Sequence, residues 1–353
     1  MKKEICFFLP ELSAGGAERV VCNLANYYVS RGYKVYILLI QNRICEYSLD
    51  KNVEIIVLPN NKSRFFKIFT RIKFVRRFLK THKNCVLVSF LFRALMYAWI
   101  STRFIKNKWI VSERNDPNQT PLKPFHRFLR TTAFNFAEVC VFQTEDAKNC
   151  FHKKARKRGV VIPNPIYPIE QKRISNQSKI IVNACRLVPQ KNLRLLIDAF
   201  VIISKEFPEY KLKIYGEGPE KQILNKYISD NKLSQSVTLE GFCSNINEVF
   251  REAELFVSSS NYEGISNTMI EAMEIGVPVI CTDCPIGGAK MMIDNRVNGI
   301  LVPVGNKQSM IDAIRELILN KDFAEKLARN AIKRCEKFRL ENIAEKWLRV
   351  IEG

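Results

Sequence analysis

Residues 255–303 read LFVSSSNYEGISNTMIEAMEIGVPVICTDCPIGGAKMMIDNRVNGILVP and contain two short apolar runs, each followed by a loop that carries glycine. This pattern predicts a buried strand, a loop, a short helix, a second buried strand and a second loop. Ser266 or Asn267 is a suitable N-cap for the helix, and Gly276 ends it. The stretch therefore predicts the strand-helix alternation of an α/β sheet.

The start of this short helix is the first candidate for a binding site. Glu263 precedes the helix and Glu271 lies within it. A helix N-terminus that opens at the carboxyl end of a strand attracts anions, because its N–H groups and the helix dipole both point there. We therefore expect a phosphate group near residues 265–267.

The run E-G-I-S-N-T-M-I-E, followed by A-M-E-I-G-V-P-V-I, resembles the E-x7-E region of family 4 glycosyltransferases, which have the GT-B fold. The resemblance implies that Glu263 lies beside the donor sugar and that Glu271 binds the nucleotide ribose. It also implies that backbone N–H groups of Ile265, Ser266 and Asn267 hold the donor pyrophosphate. For an isolated pair of carboxylates, a loop-capping Glu263 and a solvated Glu271 would be the simpler interpretation. The resemblance continues for about 40 residues, and other segments of the chain also resemble the family. This favours a donor-binding role for the two carboxylates over the simpler interpretation.

The length of 353 residues predicts more than one domain. A polar, proline-bearing segment at 166–178 separates two strand-helix alternations and is the expected linker. We predict an acceptor-binding domain over 1–170 and a nucleotide-sugar-binding domain over 178–337. The resemblance implies that both are Rossmann-like and face each other across a cleft, and that 338–353 forms a helix returning to the first domain.

The positive charge is concentrated in the first half of the chain. Of the net charge of +21, residues 1–175 contribute +20, from 32 Lys and Arg against 12 Asp and Glu. Residues 62–83 hold nine Lys or Arg and no acid, and their apolar residues predict an amphipathic basic helix. We place Phe65, Ile68, Ile72, Val75 and Leu79 on its apolar stripe and Phe66, Phe74 and Phe78 off it. The helix either packs on the core with a solvated outer face or contacts an anionic membrane surface.

Other features of the composition indicate the compartment. No signal peptide is recognisable at the N-terminus, and the apolar region 86–105 is interrupted by Arg93 and Arg103. Eleven cysteines, mostly within apolar segments, favour a reducing environment. We expect a cytoplasmic protein, peripheral on the inner face of the cell membrane.

Three further loops resemble donor-site loops of the same family. G-G-A-E-R, which contains Gly16, resembles the family's N-terminal loop, and R-L-V-P-Q-K implies that Arg186 and Lys191 grip the donor pyrophosphate. Both cations would leave one loop at the carboxyl edge of a sheet, where they can neutralise a leaving diphosphate. The G-E-G-P turn at Gly216 resembles the family's G-x-G-P turn, and Phe242 occupies the place where relatives present backbone to the nucleotide base. The resemblance implies that both residues belong to the donor-binding site.

The segment S-E-R-N-D-P follows a predicted strand and is the expected acceptor side. Its candidate residues are Glu113, Arg114 and Asn115. Many relatives have a histidine where this chain has Arg114, and an arginine cannot act as a general base, although it can hold an acceptor phosphate.

The resemblance implies an enzyme of the hexosyltransferase class that transfers sugar with retention of configuration. The chain has no D-x-D motif, so we expect no metal and no cofactor, with Arg186, Lys191 and the helix N-terminus stabilising the leaving diphosphate. The leaving phosphate would help to deprotonate the acceptor, and Glu263 would orient or stabilise the sugar. We expect a UDP-linked N-acetylhexosamine donor and a membrane-associated, polyprenyl-pyrophosphate-linked glycan acceptor.

The sequence is compatible with two other classes of function. A nucleotide-sugar 2-epimerase of the same fold would need carboxylate and histidine groups facing the sugar, and this set is not recognisable in the sequence. A basic protein that binds nucleic acid or membrane without catalysis would explain the charge. No helix-turn-helix, zinc or aromatic platform motif accompanies that charge, so we expect no nucleic-acid partner.

Overall fold

The computed structural model describes residues 2–12, 15–42, 47–60, 63–169, 171–174 and 178–353. The chain divides into two compact units, of which unit 1 comprises Met1–Pro165 and Leu340–Gly353, and unit 2 comprises Ile166–Arg339. Parts of the predicted N-terminal loop (Ser13 and Ala14), Lys62 at the start of the basic helix, and Glu170 with 175–177 of the expected linker lie outside the described residues.

Unit 1 contains a parallel seven-stranded sheet in the order β3-β2-β1-β4-β5-β6-β7. Its strands are β1 (Glu4–Leu9), β2 (Val35–Leu39), β3 (Glu54–Val57), β4 (Cys85–Phe90), β5 (Trp109–Ser112), β6 (Val139–Phe142) and β7 (Gly159–Val161). The central strands are almost continuously apolar and buried, as expected for a parallel sheet covered on both faces. The strand order reverses between β1 and β4, which is where Rossmann-like sheets bind ligands.

Seven helices are described in unit 1: α1 (Gly16–Ser30), α2 (Arg64–Thr81), α3 (Phe92–Ser101), α4 (Pro124–Phe134), α5 (Glu145–Asn149), α6 (Lys153–Lys157) and α14 (Leu340–Glu352). Within the described parts of the chain, no helix combines the length and apolar character needed to cross a bilayer.

The basic helix α2 forms as predicted, but the predicted apolar stripe is partly wrong. Val75 and Leu79 are buried, whereas Ile68 is 43% exposed. Phe78, which was placed off the stripe, is buried because its ring packs edge-on against Tyr36, with ring centroids 5.1 Å apart. The buried face of α2 is therefore rotated toward Phe78.

Helix α14 packs within unit 1 although it is the last element of the chain. Tyr28 of α1 donates a hydrogen bond of 2.8 Å to the carbonyl of Ala344. Trp347 is fully buried and stacks on Phe90, with ring centroids 5.8 Å apart. These contacts join α14 to the end of β4.

Unit 2 contains a parallel six-stranded sheet in the order β10-β9-β8-β11-β12-β13. Its strands are β8 (Ile180–Ala184), β9 (Lys211–Tyr215), β10 (Val237–Gly241), β11 (Leu255–Ser258), β12 (Val279–Thr282) and β13 (Ile300–Val302). The order reverses between β8 and β11, so the loops that follow these two strands meet at one point of the carboxyl edge. A buried core that includes Leu196, Phe200 and Leu212 holds α-helices on the sheet.

The helices of unit 2 are α7 (Leu193–Glu206), α8 (Lys221–Asp230), α9 (Ile246–Glu252), α10 (Asn267–Ile275), α11 (Gly288–Met292), α12 (Lys307–Leu319) and α13 (Lys321–Cys335). The end of the chain forms three α-helices in succession, α12, α13 and α14. Asn320 separates the first two, because its side chain accepts a hydrogen bond of 3.0 Å from the backbone N–H of Phe323 and starts a new helix.

The segment that was expected to be a linker makes backbone contacts with unit 2. Ile166 donates to the carbonyl of Phe338 at 2.9 Å, and Arg173 donates to the carbonyl of Ile275 at 2.9 Å. Lys172 forms an ion pair of 2.7 Å with the buried carboxylate of Glu274. These described parts of 166–178 therefore belong to unit 2 rather than to an independent connection.

Candidate active site

The loop after β8 and the loop after β11 are tied together at the switch point of the unit 2 sheet. Gln190 donates to the carbonyl of Tyr262 at 2.8 Å, and the N–H of Asn261 donates to the carbonyl of Gln190 at 2.9 Å. The side chain of Asn192 donates to that of Asn261 at 2.9 Å. These bonds fix the position of Lys191 relative to the β11 loop.

Lys191 and Glu263 form an ion pair at this point. The Lys191 ammonium bonds one carboxylate oxygen of Glu263, and the hydroxyl of Ser260 donates to the other at 2.9 Å. The side chains of Lys191 and Glu263 are only 10% and 18% exposed. An ammonium has three N–H donors, so Lys191 can bind Glu263 and a phosphate oxygen together. Lys191 is therefore an enclosed, paired cation and not a solvated surface residue.

Helix α10 begins beside this pair. Ser266 is its N-cap and accepts a hydrogen bond of 3.4 Å from the N–H of Met269, and Thr268 donates to the carbonyl of Ala184 at 2.9 Å. The second bond attaches the first turn of α10 to the end of β8. The positive end of the helix dipole therefore lies at the same edge as Lys191.

Glu271 is 3% exposed, so the alternative of a solvated helix residue is wrong. Ile265 is buried and Asn267 is the first residue of α10. Their assignment to pyrophosphate and ribose stays a prediction that follows from the resemblance.

The loop that carries Arg186 is held by the backbone of the next strand. The N–H groups of Cys185 and Leu187 donate to the carbonyls of Tyr215 and Glu217, both at 2.9 Å. Gly216 has φ of +133°, and a Cβ there would lie 1.8 Å from the carbonyl oxygen of Cys185. Only glycine permits this approach. It fixes the backbone on both sides of Arg186, whose side chain is exposed.

Phe242 follows β10 and is 57% exposed. The N–H of Gly216 donates to the carbonyl of Gly241 at 2.7 Å, so the end of β10 adjoins the turn at Gly216. The structure thus brings the predicted donor loops of unit 2 to one edge of its sheet. The contact of Phe242 with a nucleotide stays a prediction.

The predicted acceptor residues lie in unit 1 at the end of β5, and Gly16 is the first residue of α1. One oxygen of Glu113 accepts from the backbone N–H groups of Arg114 and Asn115 at 3.1 and 3.3 Å, and the other pairs with Arg130 at 3.3 Å. Burial raises the pKa of Glu113, and the charge of Arg130 opposes this rise.

Arg114 is held inside unit 1 by several groups of the protein. Its guanidinium donates to Ser112 at 2.8 Å and to Asn164 at 3.1 Å. It also lies 5.3 Å from the ring of Phe90 and 5.2 Å from the ring of Trp347. Burial lowers its pKa to about 9, so the group stays protonated at neutral pH. The described contacts make Arg114 a support for α14, and its role toward an acceptor phosphate stays a prediction.

Sequence reasoning missed several side chains that shape these sites. Ser260 could have been found, because polar residues directly after a buried parallel strand lie at the ligand-binding edge. Arg130 and Trp347 act on Glu113 and Arg114 from distant positions, and no local pattern marks them. Within the described part of the chain, no group of three or more His, Cys, Asp or Glu side chains is placed to hold a metal ion.

Two protein-family models match the chain in succession. The model described as Glycosyltransferase Family 4 matches residues 14–168, and the model described as Glycosyl transferases group 1 matches residues 168–334.

Similar proteins include a Campylobacter jejuni protein named GalNAc-alpha-(1->4)-GalNAc-alpha-(1->3)-diNAcBac-PP-undecaprenol alpha-1,4-N-acetyl-D-galactosaminyltransferase. It is 27% identical over 99% of this chain and 98% of its own length. A Staphylococcus aureus poly(ribitol-phosphate) alpha-N-acetylglucosaminyltransferase is 36% identical over 50% of this chain and 36% of its own length.

The fold is similar to that of HepE from Anabaena, which was solved in complex with UDP and glucose. The TM-score is 0.85 and the identity is 18%, with 100% of both chains covered. At this identity the likeness concerns the fold alone.

Proposed function

The chain belongs to the family 4 glycosyltransferases and has the GT-B fold, and from this premise we propose that it transfers a sugar, with retention of configuration, from a UDP-linked donor to a membrane-associated glycan. The donor sugar we propose is an N-acetylhexosamine, and the acceptor a glycan on polyprenyl pyrophosphate. The observation that carries the proposal is the Lys191–Glu263 ion pair beside the N-terminus of α10.

The arrangement fits the departure of a nucleoside diphosphate. When the bond between the anomeric carbon and the β-phosphate oxygen breaks, negative charge develops on that oxygen. Lys191 and the N-terminus of α10 lie at the same edge and can stabilise this charge without reorganising. The exposed side chain of Arg186 leaves an anchored loop at that edge and would add a second cation.

Glu263 would stabilise the positive charge that develops on the sugar. Its two oxygens are bonded by Lys191 and Ser260, which holds the carboxylate in place and reduces its strength as a nucleophile. This supports an orienting and electrostatic role over a covalent one. The acceptor oxygen then forms its bond to the anomeric carbon on the face that the leaving phosphate vacates, and its proton passes to that phosphate.

The proposed acceptor is supported by the relatives and by charge. The Campylobacter jejuni relative is named for an undecaprenol-linked glycan, and it matches almost the whole chain. Unit 1 carries nearly all of the positive net charge, which suits an anionic membrane surface and a pyrophosphate-linked acceptor.

The test is a transfer assay with purified protein, a panel of UDP-, GDP- and ADP-sugars, and a short polyprenyl-pyrophosphate glycan. Free nucleoside diphosphate and product mass are followed, and the anomeric configuration is read by NMR. We expect release from a UDP-N-acetylhexosamine with a matching mass gain and an α-linked product from an α-linked donor. A product of inverted configuration would refute the retaining mechanism. No release of nucleoside diphosphate from any donor would refute the proposed transferase activity.

A further inference from the structure

We propose that the N-terminal ends of α2 and α4 form a docking surface that inserts aromatic side chains into an anionic lipid bilayer. The docking surface consists of Phe66, Phe69, Leu122, Phe125 and Phe128. This inference rests on the proposed function, because it specifies how the enzyme reaches a lipid-linked acceptor.

The first observation is the exposure of these side chains. The four phenylalanines of the docking surface are 65–68% exposed, and Leu122 is 79% exposed. Phe66 and Phe69 are three residues apart on α2, and Phe125 and Phe128 are three residues apart on α4, so each pair lies on one side of its helix. Leu122 lies just before the start of α4. Single exposed apolar residues are ordinary, but five on two elements of one unit indicate an interaction surface.

The second observation is that both sets lie at the same end of a row of helices, in which α3 contacts α2 on one side and α4 on the other. The guanidinium of Arg71 lies 6.0 Å from the ring of Tyr97, and Ser101 bonds the carbonyl of Ile72 at 3.4 Å. Both helices connect parallel strands of one sheet, so both run opposite to those strands and parallel to each other. Because Arg71 lies opposite Tyr97 and Arg76 donates to the carbonyl of Ser101 at 3.2 Å, Phe66 is level with the start of α3.

The start of α4 lies beside the start of α3 as well. The ring of Phe92 stacks on His126 with centroids 4.9 Å apart. Packed helices are separated by about 8–10 Å, so the surface spans about 20 Å from α2 to α4.

The third observation is charge. The sequence has no Asp or Glu between Glu54 and Glu113, a stretch that includes all of α2 and α3, and α4 has none either. Arg93 and Lys123 are exposed beside the aromatic residues. Cations flanking exposed aromatic and aliphatic side chains complement anionic head groups above an apolar layer. Nucleic acid would match the charge but leave the phenylalanines in water.

The test is flotation of the full chain with vesicles of phosphatidylcholine containing about one-third phosphatidylglycerol, at low and high salt. Two double variants, Phe66→Ser/Phe69→Ser and Phe125→Ser/Phe128→Ser, keep every charge. Each should lower the vesicle partition coefficient at least about tenfold, because part of the apolar area that enters the bilayer is lost.

Phe104→Ser is the matched control. Phe104 is fully exposed in the same unit, but it follows the opposite end of α3, about 15 Å from the docking surface. Its variant should bind vesicles as the wild type does. The proposal would be overturned if Phe104→Ser lost as much vesicle binding as the double variants, or if both double variants bound vesicles as strongly as the wild-type protein. It would also be overturned if the wild-type protein bound oligonucleotides but not vesicles.

A second assay separates this inference from the proposed function. With a short, water-soluble acceptor, both double variants should turn over like the wild type, because the docking surface carries none of the proposed catalytic groups. If all proteins turned over and the double variants bound vesicles like the wild type, the docking surface would be refuted and the proposed function would stand. Loss of vesicle binding in the double variants, with no turnover by any protein, would refute the transferase and leave the docking surface standing.

Discussion

Lys191→Ala tests whether the ion pair at the switch point is catalytic. The substitution removes the ammonium that bonds Glu263 and, in the proposed mechanism, the leaving diphosphate. Losing one preorganised contact to developing charge costs about 3 kcal/mol, so kcat should fall about 100-fold or more. The KM for the donor should rise less, since the contact strengthens as the phosphate leaves.

The same change should also reduce stability, because Glu263 keeps the hydroxyl of Ser260 but loses its cationic partner. Breaking a fully buried ion pair costs about 3–5 kcal/mol, and the partial exposure of this pair reduces the expected cost to about 2 kcal/mol. For a unit of this size, that corresponds to a fall in Tm of about 4–8 °C.

Kinetics of diphosphate release, with thermal unfolding followed in parallel, provide the assay. Lys226→Ala is the matched control, because Lys226 pairs with Asp230 on the exposed face of α8, with side chains 76% and 57% exposed. It should change neither kcat nor Tm measurably. A Lys191→Ala enzyme with wild-type kcat would refute the catalytic role, and an unchanged Tm would refute the assigned strength of the pair.

Three further predictions concern the supports of the two sites. Gly216→Ala should destabilise unit 2 by about 3 kcal/mol or more in urea unfolding, because the added Cβ meets the carbonyl oxygen of Cys185. The control is Gly305→Ala, which has φ of +71° but no atom within 4 Å of the added Cβ, and it should cost only about 1 kcal/mol. Arg114→Lys should lower the free energy of unfolding by about 1–3 kcal/mol in the same assay and weaken the near-UV dichroism of Trp347, since lysine loses the planar stacking and the paired hydrogen bonds. Unchanged stability and dichroism would contradict the role of Arg114 as a support for α14. Burial raises the pKa of Glu113, so above about pH 4.5 the folded state keeps a proton that the unfolded state has lost, and this residue makes the free energy of unfolding fall as pH rises. The free energy of unfolding of the wild type minus that of Glu113→Gln should therefore decline as pH rises above about 4.5. A constant or rising difference would contradict a raised pKa for Glu113.

Local sequence patterns predicted much of the secondary structure around the candidate donor site. The N-cap at Ser266, the end of α10 at Gly276 and the strand-helix alternation depend on residues within a few positions of one another. Such short-range preferences are readable without knowing what the segment packs against. The same holds for the basic, amphipathic character of α2.

Contacts between distant residues could not be predicted in the same way. Two strands with similar apolar patterns can occupy different places in a sheet, so the sequence did not specify that β8 lies beside β11. That adjacency brings Lys191 to Glu263, which is 72 residues away. The family resemblance assigned both residues to a donor site but not to each other.

The sequence by itself determined the α/β class, the charge asymmetry, and the positions of the candidate donor loops, because periodicity, capping and composition are local properties. Only the tertiary structure decided that Arg114 lies against the stacked rings of Phe90 and Trp347, and that Phe125 and Phe128 are left exposed beside a basic face. Burial depends on which surfaces pack together, and the sequence alone does not show whether a given arginine or phenylalanine becomes buried or stays exposed.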